Sequence, residues 1–289
     1  MKSDPEVQRA LETYQLGLPR MPPAGRSGEL LGRGVGSSIE FQEYRQYVPG
    51  DDIRHLDWGA YARSDTLMVR LFRDEISPRT DVLLDGSRSM LGSGPPELRV
   101  HKARVAKQLT TLFARLVSRL GGRPKLFVSG DGPAVDLPLE QLHRLSDWPF
   151  AGAGSLAEQV NEGLVPLRRQ SVRIVVSDFL FPHDPIPLVR RLAGDASTLW
   201  IVQVLSGFES DPTSAGGKRL VDGETGAELD LVIDDVAIAR YKQRLTRLQG
   251  ALATACRQFH ARYAIVVADA GLAAVCRSEL CPAGMLRAE

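Results

Sequence analysis

Apolar residues come in short, dense runs divided by turn residues, and from about residue 80 these runs alternate with stripes of helical spacing. Val82-Leu83-Leu84 is a buried strand by this measure, too short and too β-branched at its start for a helix. The stretches 125–129, 172–178, 199–205 and 263–268 read the same way, and 134–137 reads as an antiparallel edge strand. Between them, 97–120 puts Leu98, Val105, Leu109, Leu112, Leu116 and Leu120 on one face and ends at Gly121-Gly122. Arg104, Lys107, Arg115 and Arg119 fall largely off that face, and His101 and Lys102 read as helix surface. Further helices are expected through His143 to about Asp147, over 156–169 and 187–193, from Asp235 onward along Tyr241, Leu245, Leu248, Leu252, Ala255 and Phe259, and over 272–280. Residues 219–233 alternate around a Gly-containing turn, which predicts a β-hairpin within 218–234.

Strand–helix alternation of this kind gives an α/β fold: a doubly wound, mostly parallel central sheet of about six strands with helices on both faces. Ligands bind such sheets beyond the carboxyl ends of the strands, where strand order reverses.

The first 79 residues are organised differently. Val7, Leu11 and Tyr14 space a short helix over 5–18, stopped at Leu18-Pro19, and Met21-Pro22-Pro23 is an extended linker. Gly32-Arg33-Gly34-Val35-Gly36 follows no strand and lacks the Lys-Ser/Thr ending of a nucleotide loop. Residues 39–58 are dense in Arg, Asp and aromatic residues around a Pro49-Gly50 turn, so Arg45, Arg54 and Arg63 are expected to find Asp51, Asp52 and Asp57. A strand over 67–72 follows. The chain divides on this basis into an N-terminal helix and Gly/Pro-rich linker (1–38), an Arg/Asp-rich segment expected to pack on the core (39–79), and the α/β domain (80–289).

Composition narrows the function classes. The 289 residues are 43% hydrophobic, enough for a sizeable core, and 36 basic against 35 acidic residues leave a formal charge of +1. That balance gives no reason to expect nucleic acid or an anionic surface as partner. Cys256, Cys276 and Cys281 are an odd set with no Cys-x-x-Cys, which fits reduced thiols and a cytoplasmic protein. No signal-peptide core stands at the start, and no window approaches the roughly 18 apolar residues of a membrane span.

Candidate chemistry lies at the strand ends. Asp85 follows the Val82–Leu84 run, Gly86 permits a sharp turn, and Ser87 and Ser89 alternate with Arg88 so that both hydroxyls can face the carboxylate. The same residues could instead cap the next helix. Ser155 follows a Gly-rich loop and precedes a helix, and Asp178 ends the second apolar strand. On one edge of the sheet, these five side chains offer hard oxygen ligands suited to Mg²⁺ or Mn²⁺ and poorly suited to zinc.

Asp85-x-Ser87-x-Ser89, a Gly-rich loop with a hydroxyl residue and a strand ending in Asp178 together resemble the von Willebrand factor type A fold and its metal-ion-dependent adhesion site. Glu40-Phe41-x-x-x-Arg45-x-Tyr47-x-Pro49-Gly50-Asp51-Asp52-x-Arg54-x-x-Asp57-Trp58, with Ala62-Arg63 and Glu75, resembles the family called domain of unknown function 58. The resemblance implies metal ligation by Asp85, Ser87, Ser89 and Asp178, with Ser155 where the pattern usually has Thr, and Ser177-Asp178 where it usually has Thr-Asp. It also implies a partnership with AAA+ ATPases of the MoxR class. The function expected is a non-enzymatic, metal-dependent protein-binding module that takes a partner's carboxylate. The alternatives are a metal-dependent hydrolase, with His183 as its one candidate base, and a structural domain with an empty site.

Overall fold

The structure is a computed structural model that describes residues 4–17, 39–49, 51, 53, 56–74, 79–93, 96–212, 216–221 and 228–289. The linker at 21–23, the Gly-rich stretch 25–38, Asp52, Arg54, Glu75 and the hairpin turn at 222–227 lie outside them. In chain order the elements are α1 (Pro5–Thr13), β1 (Tyr14–Leu16), β2 (Ile39–Gln46), α2 (Trp58–Ser64), β3 (Met68–Asp74), β4 (Thr80–Leu84), α3 (Pro96–Arg119), β5 (Pro124–Val128), β6 (Val135–Leu137), α4 (Leu156–Asn161), β7 (Ser171–Ser177), α5 (Pro185–Ala193), β8 (Ala196–Leu205), α6 (Gly207–Ser210), β9 (Gly216–Val221), β10 (Glu228–Ile233), α7 (Asp235–Gln258), β11 (Arg262–Val267), α8 (Gly271–Val275) and β12 (Leu286–Ala288).

Two compact units are formed, one by residues 1–20 and 78–289, the other by 21–77. The first holds the expected doubly wound α/β architecture. Its six-stranded sheet runs β11-β8-β7-β4-β5-β6, parallel throughout except for β6, which lies antiparallel to β5 on the edge. Alternate residues of each central strand enter different cores, because successive side chains point to opposite faces. Val82 and Leu84 join one core with Val105, Leu109, Leu112 and Leu116 of α3. Leu83 joins the other with Leu188, Val189 and Leu192 of α5 and Leu252 and Ala255 of α7. From β4 the chain moves outward to β5, whereas β7 pairs on the other side of β4 and leads on to β8. Strand order therefore reverses between β4 and β7, and Asp85 and Asp178 stand just past their ends.

Several elements depart from expectation, each for an identifiable reason. The first helix stops at Thr13 rather than 18, because Tyr14–Leu16 pairs antiparallel with Leu286–Ala288. The helix read over 156–169 ends at Asn161: Gly163 takes a left-handed φ of 74°, and the Leu164 and Gly163 N–H groups close back on the Gln159 and Val160 carbonyls. Residues 139–145 form a 3₁₀ helix, and the last helix ends in a π turn over 276–280. Leu120 is half exposed, since α3 closes at Gly121 with φ 74°. The β9–β10 hairpin forms as read. The three cysteines are free thiols, and burial pushes Cys256 and Cys276 up to about 12, which leaves both protonated and inert.

In the 21–77 unit, β2 and β3 pair antiparallel with a bulge at Phe41/Glu43, so residues 39–46 are a strand rather than part of a polar mesh. Arg45 does reach Asp51, at 2.8 Å, and Asp51 also accepts the Val48 N–H, closing the turn. Buried Asp57 caps α2 through the Ala60 N–H and accepts the Tyr44 hydroxyl.

Candidate metal centre

Asp85 enters the sheet edge through its own backbone, its N–H donating to the Val176 carbonyl at 2.9 Å. The side chain is fully buried. Oδ1 accepts the Ser87 N–H at 3.0 Å, and Oδ2 accepts the Ser177 hydroxyl at 2.6 Å. Gly86 is required for space: a Cβ there would lie 2.0 Å from the Ser129 carbonyl oxygen. Its N–H donates to Ser129 Oγ at 3.0 Å. Ser87 and Ser89 turn the same way, with their hydroxyl oxygens 2.9 Å apart, and Arg88 is exposed. Ser87 makes no side-chain cap bond to the 3₁₀ turn that follows, so the capping use of this serine is not what the fold adopts.

The Gly-rich loop is stitched to this one. The Arg88 N–H donates to the Gly152 carbonyl, and the Gly152 N–H to the Gly86 carbonyl. Asp131 braces it from outside by accepting the N–H groups of Ala153 and Gly154, which hold its carboxyl below the ordinary value. Ser155 caps α4: its hydroxyl accepts the Glu158 N–H at 3.2 Å, and Glu158 accepts the Ser155 N–H in return. That leaves the hydroxyl proton and a lone pair for other use.

Asp178 is fully buried past the end of β7. Oδ1 accepts the Leu180 N–H at 2.9 Å, and its backbone carbonyl accepts the Gln203 amide at 2.7 Å. The next residue, Phe179, is buried with a left-handed φ of 56°, a conformation that costs a bulky residue about 1–3 kcal/mol. Its N–H donates to Ser177 Oγ, the same hydroxyl that holds Asp85. The strained peptide thus fixes the two carboxylates relative to each other.

Lys102 corrects the sequence reading most sharply. It is fully buried rather than on the helix surface. Nζ donates to the Ser89 carbonyl at 2.8 Å, to Asp178 Oδ2 at 2.8 Å and to Glu209 Oε1 at 2.9 Å. Glu209 is itself buried and accepts the Ser93 and Ser206 N–H groups. Burial pulls Lys102 down, but Asp178 and Glu209 outweigh it and hold the ammonium above its ordinary value. Burial, and then the charge of Asp178, push the Asp85 carboxyl up. Lys102 thus pairs with two buried carboxylates, Asp178 and Glu209, while the third, Asp85, has no cation of its own; counted as ionised, the four groups carry a formal charge of −2.

Those residues fit a hard divalent cation. Asp85, Ser87, Ser89, Ser155 and Asp178 supply oxygen only, which suits Mg²⁺ or Mn²⁺. Among the described residues no group of three or more His, Cys, Asp and Glu gathers to hold a metal, so hydroxyls and water would complete the shell. His183, the candidate base, is half-buried beside Asp178, and its Nε2 is buried without a partner among the described residues. Its Nδ1–H donates to the Phe181 carbonyl at 2.8 Å, and the Phe179 and Phe181 rings pack against it. Burial lowers its pKa.

Sequence reasoning missed Ser129, Ser177, Lys102 and Glu209. A signal for Lys102 existed: it stands four residues after Leu98 and three before Val105, in register with the apolar stripe. Ser206-x-x-Glu209 is a capping box, visible as such, whose Glu serves a second purpose.

The family model for Protein of unknown function DUF58 matches residues 43–251. The chain belongs to the DUF58 family. Two curated relatives, uncharacterized protein Rv1480 of Mycobacterium tuberculosis and uncharacterized protein Mb1516 of Mycobacterium bovis, are each 27% identical over 243 residues, 80% of this DUF58 chain and 75% of the relative. Among solved structures, the conserved hypothetical protein BatB from Bacteroides thetaiotaomicron aligns with 63% of this chain and 98% of its own at 14% identity and a TM-score of 0.33. The SpRpn10 VWA domain aligns with 44% of this chain and 75% of its own at 14% identity and a TM-score of 0.34.

Proposed function

We propose that this DUF58 chain is a non-enzymatic protein-binding module whose strand-end edge holds Mg²⁺ or Mn²⁺ and takes a carboxylate from a partner protein. The observation that carries this reading is a buried carboxylate, Asp85, with hydroxyl and backbone donors but no cation beside it, at a strand end next to the Lys102-paired Asp178; ionised, Asp85, Asp178, Glu209 and Lys102 sum to a formal charge of −2. Charge buried without a counter-ion is costly, and a divalent cation removes the imbalance. Asp85, Ser87, Ser89, Ser155 and Asp178 would hold the ion, which supplies a Lewis-acidic position open to one further oxygen ligand. Asp85 and Asp178 are engaged by donors that orient them, which supports binding over turnover.

The family resemblance supplies the partner to test, an AAA+ ATPase of the MoxR class, and with it a cytoplasmic setting. Among the described residues no helix is long and apolar enough to cross a membrane.

The test is a melting curve and a pull-down. An ion that binds only the folded state stabilises it by about 2.7 kcal/mol at a hundredfold excess over its Kd. Millimolar Mg²⁺ should therefore raise the Tm of the wild type and leave Asp85→Ala unmoved. The ATPase should be retained by the wild type in Mg²⁺ and released in chelator. Equal capture by wild type and Asp85→Ala, with or without metal, would defeat the metal-bridged reading.

A further inference from the structure

We propose that Lys102 is the specificity-setting residue of this centre: a built-in cation that shares Asp178 with the metal position and fixes the residual charge at two, so that the edge takes a divalent ion in preference to a trivalent one. The proposal rests on the metal reading above and adds to it the residue that selects the ion's charge.

The geometry fixes the Lys102 ammonium in one place. An ammonium has three N–H donors, and all three are satisfied, by Ser89, Asp178 and Glu209, with the side chain fully buried. It is neither a mobile arm nor a group reaching solvent. Two of its acceptors belong to residues read as metal ligands. The third, Glu209, is not at a ligand position. Both Glu209 oxygens are already bound, Oε1 by Lys102 and the Ser93 N–H, Oε2 by the Ser206 N–H. Glu209 therefore acts on the ion through its charge alone. The three acceptors follow β4, β7 and β8, so one side chain from α3 ties together the ends of three neighbouring strands. Charge near the cation can then be changed at Glu209 without touching a ligand residue, whereas a change at Lys102 also frees Asp178 Oδ2 and the Ser89 carbonyl.

That separation makes a charge ladder. Glu209→Gln leaves one uncompensated charge, the wild type two, Lys102→Met three, and Lys102→Met/Glu209→Gln two again. Calorimetric titration of the full-length, metal-stripped chain with Mn²⁺ and with La³⁺ reads it directly. Glu209→Gln should lose about tenfold in Mn²⁺ affinity, a conservative figure for one buried unit charge at an effective dielectric near 20. Lys102→Met should raise the La³⁺/Mn²⁺ preference by about the same factor, and the double variant should return both quantities to wild-type values. Glu209→Gln keeps the Lys102–Asp178 pair, so its result decides the matter even where Lys102→Met fails to fold. If the wild type binds Mn²⁺, Asp85→Ala does not, and Glu209→Gln matches the wild type, the proposal is wrong and the metal reading stands. If the wild type binds neither ion, the metal reading fails and takes this proposal with it.

Discussion

Ser177 Oγ lies 2.6 Å from Asp85 Oδ2, joining two strand ends that are 92 residues apart in the chain. The bond is fully buried, and the same oxygen accepts the N–H of Phe179. Ser177→Ala would leave a buried carboxylate oxygen without its donor, which costs about 1–3 kcal/mol. Ser177→Thr keeps the hydroxyl and should retain most of the stability. Urea unfolding in chelator checks both; an Ala variant as stable as the wild type would mean that this bond does not hold Asp85.

Lys102→Met should destabilise the metal-free protein by about 3–5 kcal/mol, the cost of removing one partner from a buried ion pair. A lysine on an exposed helix face would give a change within about 0.5 kcal/mol. Denaturant midpoints at one pH separate the two.

Gly86→Ala puts a methyl group 2.0 Å from the Ser129 carbonyl oxygen, a backbone atom just past β5 that cannot swing away as a side chain would. Overpacking of this kind costs about 1–3 kcal/mol. It should also shift Asp85 and abolish the Tm response to Mg²⁺. A retained response would show that the loop tolerates the displacement.

Asp131 braces the Gly-rich loop through two backbone N–H groups, which hold its carboxyl below the ordinary 3.8. A depressed folded-state pKa contributes stability above the unfolded value and loses it as pH falls through the folded one. Asp131→Asn should therefore melt below the wild type at pH 7, and the gap should close once pH drops well under 3.8. Hydrogen exchange at Ala153 and Gly154 should speed up in the variant at neutral pH; unchanged exchange would show that the brace is idle.

Asp57→Ala removes the cap of α2 and the acceptor of the Tyr44 hydroxyl. Loss of an N-cap costs about 0.5–2 kcal/mol. Limited proteolysis within 39–74 should accelerate, whereas cleavage unchanged from the wild type would make the cap dispensable.

By itself the sequence determined the alternation of strands and helices in the sheet unit and singled out five oxygen-bearing candidates in its loops. Both are local. Apolar runs such as Val82–Leu84 specify strands buried on two faces, and Asp-x-Ser-x-Ser sends its donors one way by alternation. Gly163 and Pro166 even marked the early end of α4, a signal that the longer helical reading passed over. Tertiary structure alone decided who meets whom. Tyr14–Leu16 is a strand only because Leu286–Ala288 lies beside it. Lys102 is buried only because Asp178 and Glu209, 76 and 107 residues away, arrive at its ammonium together. Residue type ranks a lysine as surface even in register with an apolar stripe, because an unpaired charge is expensive to bury, and that expense falls only when partners distant in sequence converge on it.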